Sequence, residues 1–170
     1  MMEKVKPMAY ATFEQDIFIK VSPDTARDFL ASMKNHPRIH PLIVSITPLA
    51  PATDPDGTVV QRYRIRDRMR LGPLTVAFTY HATTRLSAPD TLKLEAFQFP
   101  RIQLFNTTRF AAEGDGTRVS EQVSIEAPRL LMGIVLQQAR QSHQQMLANL
   151  KQQLEAAVAA PSSPSEDQPS

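Results

Sequence analysis

The amino-acid sequence predicts an α+β domain in which a curved antiparallel sheet of about seven strands wraps around one long C-terminal helix, with short helices after the first strand. Three observations carry this. Short segments alternate apolar and polar residues with a period of two, a single helix-period segment over residues 129–159 follows them, and most connections between the alternating segments are short enough to force antiparallel pairing. A strongly bent sheet and one helix leave space between them, so the same architecture predicts an internal pocket.

Composition narrows the chemistry. The 170 residues are 42% apolar and fit one core. There is no cysteine, which excludes disulfides, thiolate metal sites and cysteine nucleophiles. Residues 1–8 are expected to form an arm, residues 9–159 the folded domain and residues 160–170 a disordered tail, because the run from Pro161 to Ser170 has no apolar side chain to bury. Without Glu166 and Asp167 of that tail, 19 basic residues face 15 acidic ones, a mild excess that does not indicate nucleic acid as a partner. Residues 1–8 contain no apolar run of signal-peptide length and no segment approaches the ~20 apolar residues that span a bilayer, so the expectation is a cytoplasmic protein. No cofactor and no metal site are expected.

The elements follow in order. Over residues 10–21, Phe13, Gln15, Ile17, Ile19 and Val21 share the core-facing parity. Ser22-Pro23-Asp24 supplies an N-cap, a proline at the first helical position and an acid in the first turn, and Ala26, Phe29, Leu30 and Met33 continue at helical spacing. Pro37 and Pro41 interrupt the following stretch, predicting a turn or a second helical fragment before a strand over residues 43–49 and a loop over 50–57. The most regular alternation covers residues 58–71: Val59, Gln61, Tyr63, Ile65, Asp67, Met69 and Leu71 face inward while Arg62, Arg64, Arg66, Arg68 and Arg70 face outward. Gly72-Pro73 turns into a strand whose inward residues include Val76, Phe78, Tyr80, Ala82 and Thr84, and three more strands follow, over residues 91–99, 102–111 and 117–127. On the final helix, Leu131, Val135, Ala139, Ser142 or His143, Met146, Leu150 and Leu154 form the inner stripe, and Gln137, Gln141, Gln144, Gln145 and Gln152 the outer one.

With this element order in hand, the chain resembles the START-like, or helix-grip (SRPBCC), superfamily of lipid-transfer domains, plant pathogenesis-related allergens and polyketide cyclases. The Ser22-Pro23-Asp24-Thr25-Ala26 entry into the first helix and the corner from His36-Pro37 to His40-Pro41-Leu42-Ile43 carry the resemblance, which covers residues 9–156. It implies a helix-grip fold around a cavity for a small hydrophobic molecule. It leaves open whether the molecule is transported, sensed or chemically changed.

Individual residues sharpen that picture. The inward polar set, Gln15, Gln61, Tyr63, Asp67, Tyr80, Asn106 and Glu121, exceeds what an apolar core needs. One reading places several of these near strand ends or bonded to one another, with Asp67 assigned to a solvated turn. The other has Tyr63, Tyr80, Asn106 and Glu121 orient the polar end of a ligand whose apolar body is held by Ile65, Phe78, Leu104, Phe110, Val123 and the helix residues His143 and Met146. As an enzyme, such a site would be polyketide-cyclase- or dehydratase-like, with Glu121 as a candidate general acid or base. His36 and His40 have a helical ligand spacing, but the prolines favour a role in shaping the corner and capping the preceding helix. The arginine row is expected to be a solvated outer face, dispensable for a ligand inside; docking to an anionic membrane surface or an acidic protein is the alternative. Phe97, Phe99 and Phe105 share its outward parity, predicting either a bulge or an apolar patch outside.

Overall fold

The computed structural model describes residues 7–160. Its elements run β1 (Met8–Ile19), α1 (Pro23–Ala31), a 3-10 turn (Met33–Asn35), α2 (His36–Ile39), β2 (Ile43–Thr53), β3 (Val59–Leu71), β4 (Leu74–Ala88), β5 (Thr91–Gln98), β6 (Ile102–Glu113), β7 (Gly116–Pro128) and α3 (Met132–Ala159). The seven strands form one sheet in the order β1-β7-β6-β5-β4-β3-β2, with every neighbouring pair antiparallel. The helical detour after β1 carries the chain to the far edge, which is why β1 pairs with β7 and not with β2. Of the expected arm over residues 1–8, residues 1–6 lie outside the described residues and Met8 already begins β1; the expected tail lies outside them beyond Ala160.

Local chemistry accounts for the boundaries. The Ser22 hydroxyl accepts a hydrogen bond from the Thr25 amide at 3.2 Å and Pro23 opens α1, so the cap is formed as its residue types require. Pro37 does not forbid α2 because it sits in the first turn, where no intrahelical amide bond is needed. β2 runs longer than expected, through Pro48 and Pro51 to Thr53, because an edge strand tolerates missing donors and a register shift between Leu49 and Ala52 absorbs the second proline. At the start of β3 the inward parity differs from expectation: Val60 is buried while Val59 and Gln61 are exposed. Gly116 begins β7 where a side chain would collide with the Ile19 carbonyl and the Phe18 ring, so the β6–β7 turn can close only over a glycine.

The core is divided, and the division makes the cavity. α3 lies over the β1 and β7 side of the sheet. Beneath its C-terminal half, Met146, Leu147, Leu150 and Leu154 pack with Ile19, Leu30, Ile39, Phe110 and Val119. Nearer its start, Ala139 packs with Phe13, Val123, Ile125 and Ala127. A third cluster, Met33, Ile43, Ile65 and Ala82, belongs to the opposite wing and does not reach the helix. The C-terminal half of α3 is also fastened by polar bonds: Lys151 donates to the Phe18 carbonyl at 2.8 Å, and Asn149 to the Ile39 carbonyl at 2.7 Å.

The first turn of α3 departs from expectation. Residues 129–131 form a turn ahead of the helix, and Leu131 and Val135 are only half-buried, since both line open space. The five glutamines of the outer stripe are exposed. All five arginines of β3 are exposed too, opposite Thr83, His81, Thr79, Ala77 and Thr75 of β4. Phe97 and Phe105 stack edge-to-face on the outside of the sheet with centroids 6.4 Å apart, so the outer face does carry an apolar pair.

The unequal anchoring of α3 predicts unequal mutational costs. Leu150→Ala should cost about 2 to 5 kcal/mol, as expected for emptying a fully buried site. Val135→Ala should cost less than about 1.5 kcal/mol, because a half-buried valine has less to lose. Urea unfolding of both variants measures the difference, and equal costs would show that the helix is held evenly along its length.

Candidate functional site

Between α3 and the far wing of the sheet lies a cavity of about 370 Å³. Its walls come from α1, the corner around α2, the middle of β3 to β7 and the first half of α3, and most of the lining is apolar: Leu30, Ile43, Met69, Leu92, Ile102 and Val135 are typical. The volume falls within the range of small-molecule sites.

At the inner end, the Glu121 side chain is completely buried and accepts hydrogen bonds from three elements. Asn106 Nδ2 of β6 donates to Oε1 at 2.8 Å, Gln15 Nε2 of β1 to Oε2 at 2.9 Å, and His143 Nδ1 of α3 reaches Oε2 at 3.2 Å. Burial alone pushes the Glu121 carboxyl up, but His143, Gln15 and Asn106 together outweigh it and hold the group below the usual carboxylate range. Glu121 is therefore an ionised acceptor that orients its neighbours. With Nδ1 of His143 turned to the carboxylate, Nε2 has no hydrogen-bond partner among the described residues; since no fully buried side-chain nitrogen or oxygen there is unpaired, Nε2 keeps solvent access, and the His143 side chain belongs to the cavity wall.

Two further histidines line the same wall. His36 donates from Nε2 to the Leu30 carbonyl at 2.7 Å, capping α1, and His40 Nδ1 accepts from the Leu42 amide at 3.3 Å. The His40 ring meets His143 edge-to-face, centroids 5.9 Å apart. Burial lowers both corner imidazoles, His40 to about 3, where the neighbouring His143 and His36 add to the effect. They are neutral groups at ordinary pH.

A second polar pair sits across the cavity on the far wing. The Tyr80 hydroxyl lies 3.3 Å from both carboxylate oxygens of Asp67. Burial pushes Asp67 up to about 6 despite the Tyr80 hydrogen bond, and burial with the adjacent Asp67 raises the Tyr80 phenol. Asp67 is thus part of the cavity wall and not of a solvated turn, because β3 continues to Leu71 before turning.

Of the residues expected around a ligand, Ile65, Phe78, Tyr80, Leu104, Asn106, Glu121, His143 and Met146 line this cavity. Tyr63, Phe110 and Val123 do not. Their inward parity is correct, but Tyr63 packs with the far-wing cluster, and Phe110 and Val123 lie where α3 closes directly onto the sheet. Position along the strand, which parity does not encode, decides the matter. The cavity histidines His36 and His40 were readable as corner residues, but their approach to His143 depends on how α2 meets α3.

Comparison with known proteins places the chain in context. A family model described as polyketide cyclase / dehydrase and lipid transport matches residues 10–155. Among solved structures, the Zhui aromatase/cyclase from Streptomyces sp. R1128 is similar with a TM-score of 0.69 at 12% identity, covering 88% of this chain and 96% of that one. TTHA0849 from Thermus thermophilus gives 0.67 at 17% identity, covering 86% and 99%. A START superfamily protein from Mycobacterium smegmatis gives 0.59 at 14% identity, covering 84% and 98%. These likenesses establish the helix-grip fold. No curated protein matches.

The perturbed groups make stability pH-dependent with a definite sign. Neutral His36 and His40 contribute stability that is complete above the unfolded value of 6.5 and is lost as pH falls, for His40 toward about 3. Asp67 opposes them: its proton is bound at about 6 in the fold against 3.8 unfolded, so it favours the fold increasingly as pH falls through that window. In urea titrations, His40→Gln should flatten the acid loss by up to about 1.4 kcal/mol per pH unit, one proton's worth, and Asp67→Asn should steepen it. Identical slopes in all three proteins would contradict these assignments.

Proposed function

Because the chain belongs to the polyketide cyclase / dehydrase and lipid transport family, we propose that it binds a small hydrophobic molecule, such as a lipid, polyketide or isoprenoid, for transport, sensing or presentation. One observation carries this reading: a largely apolar cavity whose inner end is a fully hydrogen-bonded Glu121–His143–Asn106 cluster with one imidazole nitrogen left for a guest. The apolar wall contributes affinity through burial, and His143 Nε2 fixes orientation by bonding a hydroxyl or carbonyl. Ile65, Phe78, Leu104 and Met146 hold the apolar body. Tyr80 and Asp67 offer a second polar contact on the far wing. A reading as an assembly factor with a filled fold has less support, since the cavity is open.

Native mass spectrometry of the protein from its own host tests this directly, with displacement of an environment-sensitive apolar dye as the quantitative assay. Leu104→Trp, which fills the cavity, should weaken dye binding at least about tenfold, the equivalent of ~1.4 kcal/mol. Binding unchanged in a folded Leu104→Trp variant would exclude the cavity as the site.

A second reading is a polyketide-cyclase- or dehydratase-like enzyme, favoured by the oriented His143–Glu121 pair beside an apolar space. Such an imidazole can take a proton from a carbon next to a ketone while Glu121 stabilises the resulting cation. His143→Gln separates the readings. A carrier should keep its affinity for an apolar guest within about threefold, whereas an enzyme should lose at least about 100-fold in turnover of a poly-β-ketone, the usual worth of a general base.

A further inference from the structure

The cavity opens at one end of the sheet, and that end differs chemically from the other. The turns at the far end carry carboxylates: Asp54 and Asp56 between β2 and β3, Asp90 between β4 and β5, and Glu113 and Asp115 where β6 turns into β7. The connections at the cavity end, β3–β4, β5–β6 and β7–α3, contain no acid at all. They carry Arg101 and Arg129, and Arg70 stands just before the β3–β4 turn; each of the three is exposed and none is in an ion pair among the described residues.

Large apolar side chains stand beside these guanidinium groups. Phe99 is 89% exposed, Leu130 91% and Ile134 58%. Phe99 and Ile134 belong to the cavity wall itself, and Leu130 adjoins Leu131, which does too. Water gains nothing from holding three such residues at one rim, and a fold that buries apolar surface elsewhere has left these outward. Aromatic and aliphatic tips flanked by arginines, on connections that hold no acid, are complementary to an anionic lipid bilayer: the tips enter the acyl boundary and the guanidinium groups stay with the headgroup phosphates.

We propose that the cavity end, through Phe99, Leu130 and Ile134 with Arg70, Arg101 and Arg129, docks onto anionic membranes and presents the cavity mouth to the lipid phase. The proposal gives the cargo-binding reading a route for the guest, and it rests on that reading only for its purpose. Vesicle binding is measured without any guest, so the two can fail separately. The membrane-facing surface is then the mouth and not the convex sheet face that bears Arg62, Arg64 and Arg66.

The chain has no tryptophan, so Phe99→Trp introduces a single reporter. With full-length protein and vesicles of phosphatidylcholine with about one-third phosphatidylglycerol, its emission should shift to the blue and be quenched by brominated acyl chains, as interfacial burial requires. In sedimentation assays, Phe99→Ser with Leu130→Ser, and separately Arg101→Gln with Arg129→Gln, should each weaken binding about tenfold or more, while raised salt should weaken the wild type. Arg62→Gln with Arg64→Gln and Arg66→Gln should cost less than about threefold, since those groups lie away from the contact. No spectral shift, or binding lost only in the sheet-face triple variant, overturns the proposal. So does a dimer in solution that buries the introduced indole of the reporter variant and leaves vesicles unbound.

Discussion

A buried carboxylate organises this molecule. The Glu121 side chain has no exposure, and a carboxylate in that position is tolerated only with donors on its oxygens. Those donors come from β1, β6 and α3, so satisfying one group fixes how three elements sit against β7. A one-residue slip of β1 or β6 would turn Gln15 or Asn106 to the other face of the sheet and leave the charge uncompensated. The same bonds hold Nδ1 of His143 at the carboxylate and leave its second nitrogen to the cavity that His143 lines. Structural necessity and chemical capability therefore share one cluster, and the polar end of the cavity lies where the register is most tightly specified.

The cavity follows from an imbalance in how α3 is held. A single helix cannot cover the whole of a seven-stranded curved sheet, and here it lies on the β1–β7 side, fastened by Lys151, Asn149 and four buried apolar side chains. The far wing has its own small cluster and needs no helix to cover it. What remains between is apolar on both sides yet unfilled. Close packing would remove such a space, and its persistence sets the cost of a ligand-ready interior against core density. The loosely anchored first turns of α3 form one lip of the opening, where local fluctuation costs least.

Charge placement has a comparable logic. The arginines of β3 face threonine, alanine and histidine on one side and Ser45, Thr47 and Leu49 on the other, so no carboxylate from a neighbouring strand neutralises them. Acids are concentrated instead in the turns at the closed end. The mouth is apolar and carries arginines outside any ion pair among the described residues, whereas Asp54, Glu113 and Asp115 at the opposite end are matched by Arg85, Arg118 and Lys20, and the net charge is small. Uniform measures such as pI do not reveal that separation.

Periodicity carried most of the architecture, although at the start of β3 the inward parity differs. The alternation over most of β3, the Ser22-Pro23-Asp24 cap and the single long helical segment point to about seven strands and most of their faces, because side-chain direction in a strand or helix is a local property. Eight of the eleven expected ligand contacts line the cavity for that reason. What local rules could not decide was depth. Tyr63, Phe110 and Val123 point inward as their parity demands, yet they meet packed core, because the space under a curved sheet ends where the helix touches it. The same holds for Asp67, which shares its cavity-facing side with Tyr80 only once β3 and β4 pair, and for His40, which meets His143 only because the whole sheet brings the early corner against the last helix. Which side chains turn inward is written in the sequence; which of them meet empty space depends on distances between elements, and only the assembled tertiary structure sets those.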